Sequence, residues 1–240
     1  MTEKRLTADR RTVLRATGAA ALASAAGCLG ALGSGDGNDD VVLGPPENHD
    51  RRQDLDIPYP TYGEELPAAT VPAPLHDRSV STREFVGDRH VMMTFVYTSC
   101  LTVCPGLTAS LRHVQADSIE EDYADEVAFL PTTFDPEQDT ADAINSYCEE
   151  MGVNFEVGNW YFLRPETPAR AKEVVEDTFG VAFESGGGGH AEEDEDVTMF
   201  QHSSLVLLVN KDGYVERAYN GGPPGPDEVI ADTQSVVEGW

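Results

Sequence analysis

Apolar positions run almost unbroken from Val91 to Tyr97, a pattern that predicts a strand covered on both faces rather than one with a wet side. Helical spacing follows from Gly106 to about Asp117, beginning beside Pro105. Val127–Phe134 predicts a second buried strand, and Asp139–Met151 a second helix with Asp139 as its N-cap and Gly152 as its stop. Trp160–Leu163 predicts a short strand and Pro168–Phe179 a helix closed by Gly180. Ser204–Val209 and Tyr214–Tyr219 predict a hairpin across Asn210-Lys211-Asp212-Gly213, and Pro226–Val237 the last helix. Upstream, five prolines between Ile57 and Leu75 predict extended, irregular chain with a small hairpin around His76-Asp77-Arg78-Ser79. Ser81 is placed to cap a short turn through Phe85, with Glu84 at the capping-box position. Strands interleaved with helices, closed by a hairpin and a helix, predict one three-layer α/β/α domain with a central mixed sheet over 57–240.

The chain before this domain has a different character. Arg10-Arg11, with Lys4 and Arg5 upstream, precedes a small-residue apolar stretch from Ala16 to Gly27 that is too short to span a bilayer. Asp-Arg-Arg-Thr-Val-Leu-Arg is similar to the twin-arginine signal that exports folded proteins, so 1–27 is expected to be a signal peptide. Ala25-Ala26-Gly27-Cys28 resembles a lipobox, with Ala25 where leucine is usual, and implies a lipid on Cys28. Residues 28–56, rich in Gly, Asp, Asn and Pro, read as an anchor and flexible acidic tether. The expected location is the outer face of the cell membrane.

Charge narrows the partners. The formal net charge is −27, with three lysines against 43 acidic residues. Such a surface argues against nucleic acid or an anionic membrane as an electrostatic partner. Its density leads to the expectation of a halophilic protein, kept soluble in concentrated salt by hydrated carboxylates, the alternative being an acidic protein from ordinary salt. One low-complexity patch, Gly186–Asp196, has four glycines followed by an acidic run.

With Cys28 taken by lipid, Cys100, Cys104 and Cys148 remain. Two thiols at i and i+4 in Cys100-Leu101-Thr102-Val103-Cys104-Pro105 can share one soft metal ion or close a disulfide, which an extracytoplasmic setting permits. Cys104 precedes Pro105 at an expected helix N-terminus, where the macrodipole would favour its thiolate. His202, directly before the apolar run from Leu205, can point back over a neighbouring strand–helix junction. Two thiolates and an imidazole suit copper, thiolate favouring Cu(I) and nitrogen helping to hold Cu(II). A closed zinc site would need a fourth ligand, and none stands at helical or hairpin spacing.

Phe95-Val96-Tyr97-Thr98-Ser99-Cys100, Val103-Cys104-Pro105, Phe134-Asp135-Pro136-Glu137-Gln138-Asp139-Thr140 and His202-Ser203-Ser204 occur in the order found in the Sco/SenC proteins, which the chain resembles from about Ile57 to Trp240. Leu101 departs from the family's usual proline. The resemblance implies a thioredoxin-like fold and an extracytoplasmic copper carrier that assists assembly of the CuA site of cytochrome c oxidase. It also implies Cys100, Cys104 and His202 as copper ligands and a role for Asp135 behind the ligands or in partner docking, where the alternative is a turn residue bonded to local N–H groups. The implied partners are the oxidase copper-site subunit, the membrane through the lipid anchor and a thiol reductant. The alternative function is a thiol–disulfide oxidoreductase that keeps the oxidase's copper-site cysteines reduced, using Cys100 and Cys104 as its redox pair. A peroxidase-like thiol enzyme ranks below both, because the chain lacks the threonine that precedes the nucleophile in such enzymes. Cys148 reads as buried filler, His190 as a solvated loop residue, and Met92-Met93 as core.

Overall fold

The computed structural model describes residues 40–47, 49–52, 55–185 and 200–240, the side chains at 184, 185 and 200–202 excepted. The expected signal peptide, Cys28 and the Gly186–Asp196 patch lie outside the described residues, as do His190 and the side chain of His202. After a four-residue helix, α1 (His49–Arg52), β1 (Thr70–Ala73) and β2 (Arg78–Ser81) form the small hairpin expected there. The domain then alternates β3 (His90–Val96), α2 (Cys104–Glu120), β4 (Val127–Thr133) and α3 (Ala141–Glu150). Next come α4 (Pro168–Ala171), which runs into a π-helical turn over Lys172–Thr178, then β5 (Phe183–Ser185) and β6 (Phe200–His202). The chain closes with β7 (Leu205–Val209), β8 (Val215–Asn220) and α5 (Pro226–Glu238).

The central sheet has the order β4-β3-β7-β8, with β3 parallel to β4 and antiparallel to β7. At 160–163, where a short strand is expected, the structure has two isolated parallel bridges, Phe129 with Trp160 and Thr132 with Leu163, and no full strand. Every residue of β3, β4 and β7 is buried, so both faces are covered. Side chains alternate between the faces of a strand, and β3 shows what lies on each. Met92 touches Thr233 of α5, which packs with α2, whereas the Phe95 ring lies 5.2 Å from Phe179 at the end of the π-helical turn. Three layers result.

Two local expectations change. The N-cap of α3 is Thr140, whose hydroxyl accepts the Ala143 N–H at 3.2 Å; Asp139 turns its carboxylate elsewhere. His202 does not merely precede a strand but ends one, β6, in a hairpin with β5 that the periodicity missed. The glycine stops behave as expected: Gly152 and Gly180 both take positive φ. A Cβ on Gly180 would lie 1.9 Å from the Pro58 carbonyl oxygen, so only glycine lets the proline-rich segment pack here. From Asp40 the chain is already fixed to the domain, because Glu216 accepts N–H bonds from Val42 at 2.8 Å and Leu43 at 2.9 Å. The flexible tether expected to reach residue 56 is therefore interrupted by an ordered strap.

His90, at the start of β3, is fully buried with neither ring nitrogen bonded among the described residues, its ring edge-on to Trp240. Burial, with Lys211 nearby, pushes its pKa down to about 4. Between that value and the ordinary 6.5 the unfolded chain binds a proton that the folded chain refuses, so stability falls as pH drops through this window, by about 3 kcal/mol in all. His90→Phe removes two unpartnered polar atoms and the titration together. Urea unfolding at pH 7.5 and 4.5 should show the wild type losing about 2 kcal/mol more than the variant. Equal losses would remove His90 as the cause.

Candidate metal centre

The loop that carries the two cysteines is made by the end of β3. Strand β3 ends at Val96; the Cys100 N–H then bonds back to the Tyr97 carbonyl at 3.3 Å, and α2 begins at Cys104 with Pro105 in its first turn. Proline fits there because its missing N–H would have had no helical partner. Val103 caps the helix without a side-chain bond. Both cysteines are reduced and buried, Cys100 at 3% and Cys104 at 0% exposure, whereas Leu101 between them is 86% exposed. On the other side, Pro223 of the β8–α5 loop packs on the first turn of α2, where a Cβ on Gly106 would lie 2.6 Å from its ring.

The two sulfurs are neighbours with unequal acidity. Burial pushes Cys100 up, but a hydrogen bond from the Cys104 thiol, the Thr102 hydroxyl at 3.5 Å and the backbone N–H groups of Thr102 and Cys104 outweigh it, leaving its pKa at about 7. Cys104 is held well above the ordinary thiol range by burial first, then by its bond to Cys100 and by the charges of Cys100 and Asp139. The expectation that the helix N-terminus would favour the Cys104 thiolate is thus corrected. The N–H groups of Thr102 and Cys104, at the turn into α2, face the Cys100 sulfur, while Cys104 is buried deeper and the single backbone bond it takes from Tyr97 does not offset that burial.

Behind the pair stand groups that the spacing did not point to. Asp139, fully buried, accepts the Thr98 N–H at 3.1 and 3.2 Å on its two oxygens, the Thr98 hydroxyl at 2.5 Å, and the Thr133 hydroxyl. Burial raises its pKa against these bonds. The Tyr147 hydroxyl bonds to Thr108 at 2.7 Å and lies within electrostatic reach of Cys104, Cys148 and Cys100. The signal for Asp139 was topological: β4 runs parallel to β3, so the loops after both strands meet.

Asp135 sits in the same β4–α3 loop, 6% exposed, where its carboxylate takes the Gln138 N–H and its Oδ2 atom has no partner among the described residues. Cys148 is buried in α3 with its pKa pushed up to about 12 by burial, which suits filler and not chemistry.

His202 is placed by its backbone. The β3–β7 register pairs Thr94 with Val206, and the Thr94 hydroxyl bonds to the Leu205 carbonyl at 2.8 Å, so the residues before Leu205 lie at the edge where β3 gives way to the cysteine loop. His202 pairs with Phe183, whose ring stacks on Phe134 at 4.9 Å; Phe134 in turn meets Tyr97 at 5.2 Å. A chain of aromatic contacts therefore ties the β5–β6 hairpin to the residue three before Cys100. Among the described residues no three His, Cys, Asp or Glu side chains cluster as metal ligands. The dithiol supplies two soft donors, and the third expected donor lies outside the described side chains.

Residues 75–238 match the family model SCO1/SenC. The chain belongs to the SCO1/SenC family. A SCO1 protein homolog of Bacillus subtilis (strain 168) is 28% identical over 143 residues, 59% of this chain and 68% of that protein. BsSco, described as having a disulfide switch and as a member of the Sco family of cytochrome c oxidase assembly proteins, superposes with a TM-score of 0.55 at 24% identity. That match covers 75% of this chain and 97% of BsSco. ScoI of Bradyrhizobium japonicum, with copper bound, gives 0.54 at 22% identity over 73% of this chain and 99% of that one. At these identities the superpositions establish the fold, the thioredoxin-like arrangement expected from the sequence.

The unequal thiols yield a measurable consequence. In the reduced protein, alkylation by iodoacetamide should label Cys100 with a half-maximal rate near pH 7, while Cys104 and Cys148 stay unlabelled at neutral pH. Peptide mass spectrometry across pH 5–9 reads this directly. Faster labelling of Cys104 than of Cys100 would invert the assignment.

Proposed function

We propose that this chain is an extracytoplasmic copper carrier that assists assembly of the CuA site of a cytochrome c oxidase, holding the ion through Cys100, Cys104 and His202. The observation that carries the reading is the reduced, mutually hydrogen-bonded thiol pair at the rim where the backbone of His202 also arrives. The copper-bound relative and the relative described as an oxidase assembly protein support it. Cys100, near half-ionised at neutral pH, is the sulfur that meets the incoming ion. Cys104 must give up its proton as the second bond forms, so loading releases protons and strengthens as pH rises. Three ligands leave a position open through which an acceptor's cysteine can enter before the donor's ligands leave.

The second reading, a thiol–disulfide oxidoreductase for the oxidase's copper-site cysteines, draws on the same asymmetry: a reactive Cys100 backed by a protonated Cys104. The disulfide switch described for BsSco supports it. His202 separates the two readings, since copper carriage needs it and thiol exchange does not. His202→Ala should weaken Cu(II) binding and bleach its thiolate charge-transfer band, leaving Cu(I) bound at one per chain through the thiols. Unchanged Cu(II) binding in that variant takes His202 out of the site. A Cys100→Ser, Cys104→Ser variant that still supports oxidase assembly in cells would overturn the function.

The location belongs to the same proposal: export by the twin-arginine signal and attachment through lipid on Cys28, with the acidic surface serving a halophilic setting. Among the described residues no helix is long and apolar enough to cross a membrane. Cys28→Ala should therefore release the exported domain from the membrane fraction. A variant that sediments with membranes as before would end the anchor hypothesis.

A further inference from the structure

The sequence casts Asp139 as a helix cap, but that role is filled by Thr140, one residue on. What remains is a fully buried carboxylate whose bonds all reach outward, to the cysteine loop and to the end of β4. Removing a carboxylate from water is costly unless donors replace the water, and each donor here is placed to do so. The Thr98 N–H is shared between both oxygens at 3.1 and 3.2 Å, and the Thr98 hydroxyl lies 2.5 Å from Oδ1. On Oδ2 the Thr133 hydroxyl donates, and it accepts in turn from the Asp135 N–H at 2.9 Å. Thr133 is itself fixed, its N–H bonded to the Leu163 carbonyl at 2.9 Å. The network needs an acceptor on both sides. An asparagine has one acceptor oxygen and would present an N–H₂ to one of these hydroxyls.

Building on the dithiol reading above, we propose that Asp139 is the positioning residue of the Cys100–Cys104 pair. It grips Thr98, two residues before Cys100, at both backbone and side chain, and so fixes the loop in which the two sulfurs face each other as reduced thiols. The grip comes from the β4–α3 loop, across the parallel β3–β4 pairing. The spacing of the pair is therefore set between strands, where the seven-residue loop from Tyr97 to Val103 alone would not fix it. Because the gripped arrangement is the reduced one, Asp139 stabilises dithiol over disulfide and pre-organises the two donors for a metal ion.

The test uses the mature chain, with a glutathione redox buffer as the probe of the pair and Cu(I) as the probe of the site. Asp139→Asn should shift the Cys100–Cys104 equilibrium towards the disulfide by about tenfold and weaken Cu(I) binding by a similar factor, in the range seen when groups behind a metal ligand are removed. Thr98→Val, which keeps the N–H but loses the hydroxyl, should give a smaller shift in the same direction, and Thr98→Ser should restore the wild-type equilibrium. The Asp139→Asn, Thr98→Val double variant should shift less than the sum of the two, since both lesions cut one bond. A purely structural role would lower the melting temperature and leave the redox equilibrium, read well below melting, where it was. Should Asp139→Asn fail to fold, Thr98→Val decides alone. A wild-type redox equilibrium in whichever variant folds overturns the proposal. If the wild type binds no copper, the copper reading fails, while the glutathione equilibrium still judges Asp139.

Discussion

The pairing of β3 on both its edges is the constraint from which the site follows. Strand β3 is parallel to β4 and antiparallel to β7, so its C-terminal end, that of β4 and the N-terminal start of β7 fall on one rim of the sheet. The loops leaving these three ends carry the cysteine pair, Asp135 with Asp139, and Ser203-Ser204 after His202. All seven residues of β3 and all seven of β4 are buried, and a slip of one residue in either register would turn buried side chains to the opposite face. The hydrophobic core thereby fixes the rim, and the rim brings together residues up to a hundred positions apart in sequence.

At that rim one local field acts in opposite senses on two identical groups. Burial works against both thiolates, yet Cys100 receives the N–H groups of Thr102 and Cys104 at the turn into α2, while Cys104 sits deeper and donates to its neighbour. A dithiol divided in this way has one nucleophile and one proton reservoir. Thiol exchange uses that division to attack with one sulfur and resolve with the other; metal uptake uses it to capture with one and close with the second. The two proposed functions share a geometry, which is why the thiols alone do not choose between them.

Much of the architecture was legible because β3, β4 and β7 announced themselves by near-continuous apolar runs and several helices by their ends: Gly152 and Gly180 end their segments with positive φ, and Pro105 and Pro226 begin theirs. The cysteine pair was legible from its spacing. The β5–β6 hairpin was not, since three-residue strands on either side of a glycine-rich, acidic connection show no usable period. Asp139 was misread for a physical reason: aspartate before a helix is a good cap, and only the parallel neighbour of β4 reveals that the side chain has a better partner in Thr98. The relative acidity of the thiols was also beyond the sequence, because it depends on which sulfur the helix N–H groups face.

Asp139 has a counterpart that shows how so acidic a chain orders itself. Glu216, fully buried, accepts the Val42 and Leu43 N–H groups and the Asn210 side-chain amide at 2.7 Å, and so holds the strap entering the domain. Asp139 accepts a backbone N–H and two hydroxyls, and so holds the cysteine loop. Sixteen lysines and arginines cannot partner 43 acidic residues, and most described ion pairs, such as Arg78–Glu84 and Lys172–Glu176, are partly exposed, where they contribute little and are screened by salt. A neutral donor in a dry interior keeps its bond when salt is added. Carboxylates satisfied in this way can pin distant segments without any cation, and they do so at the two places where the domain is defined: where the strap joins it and where its thiols meet the outside.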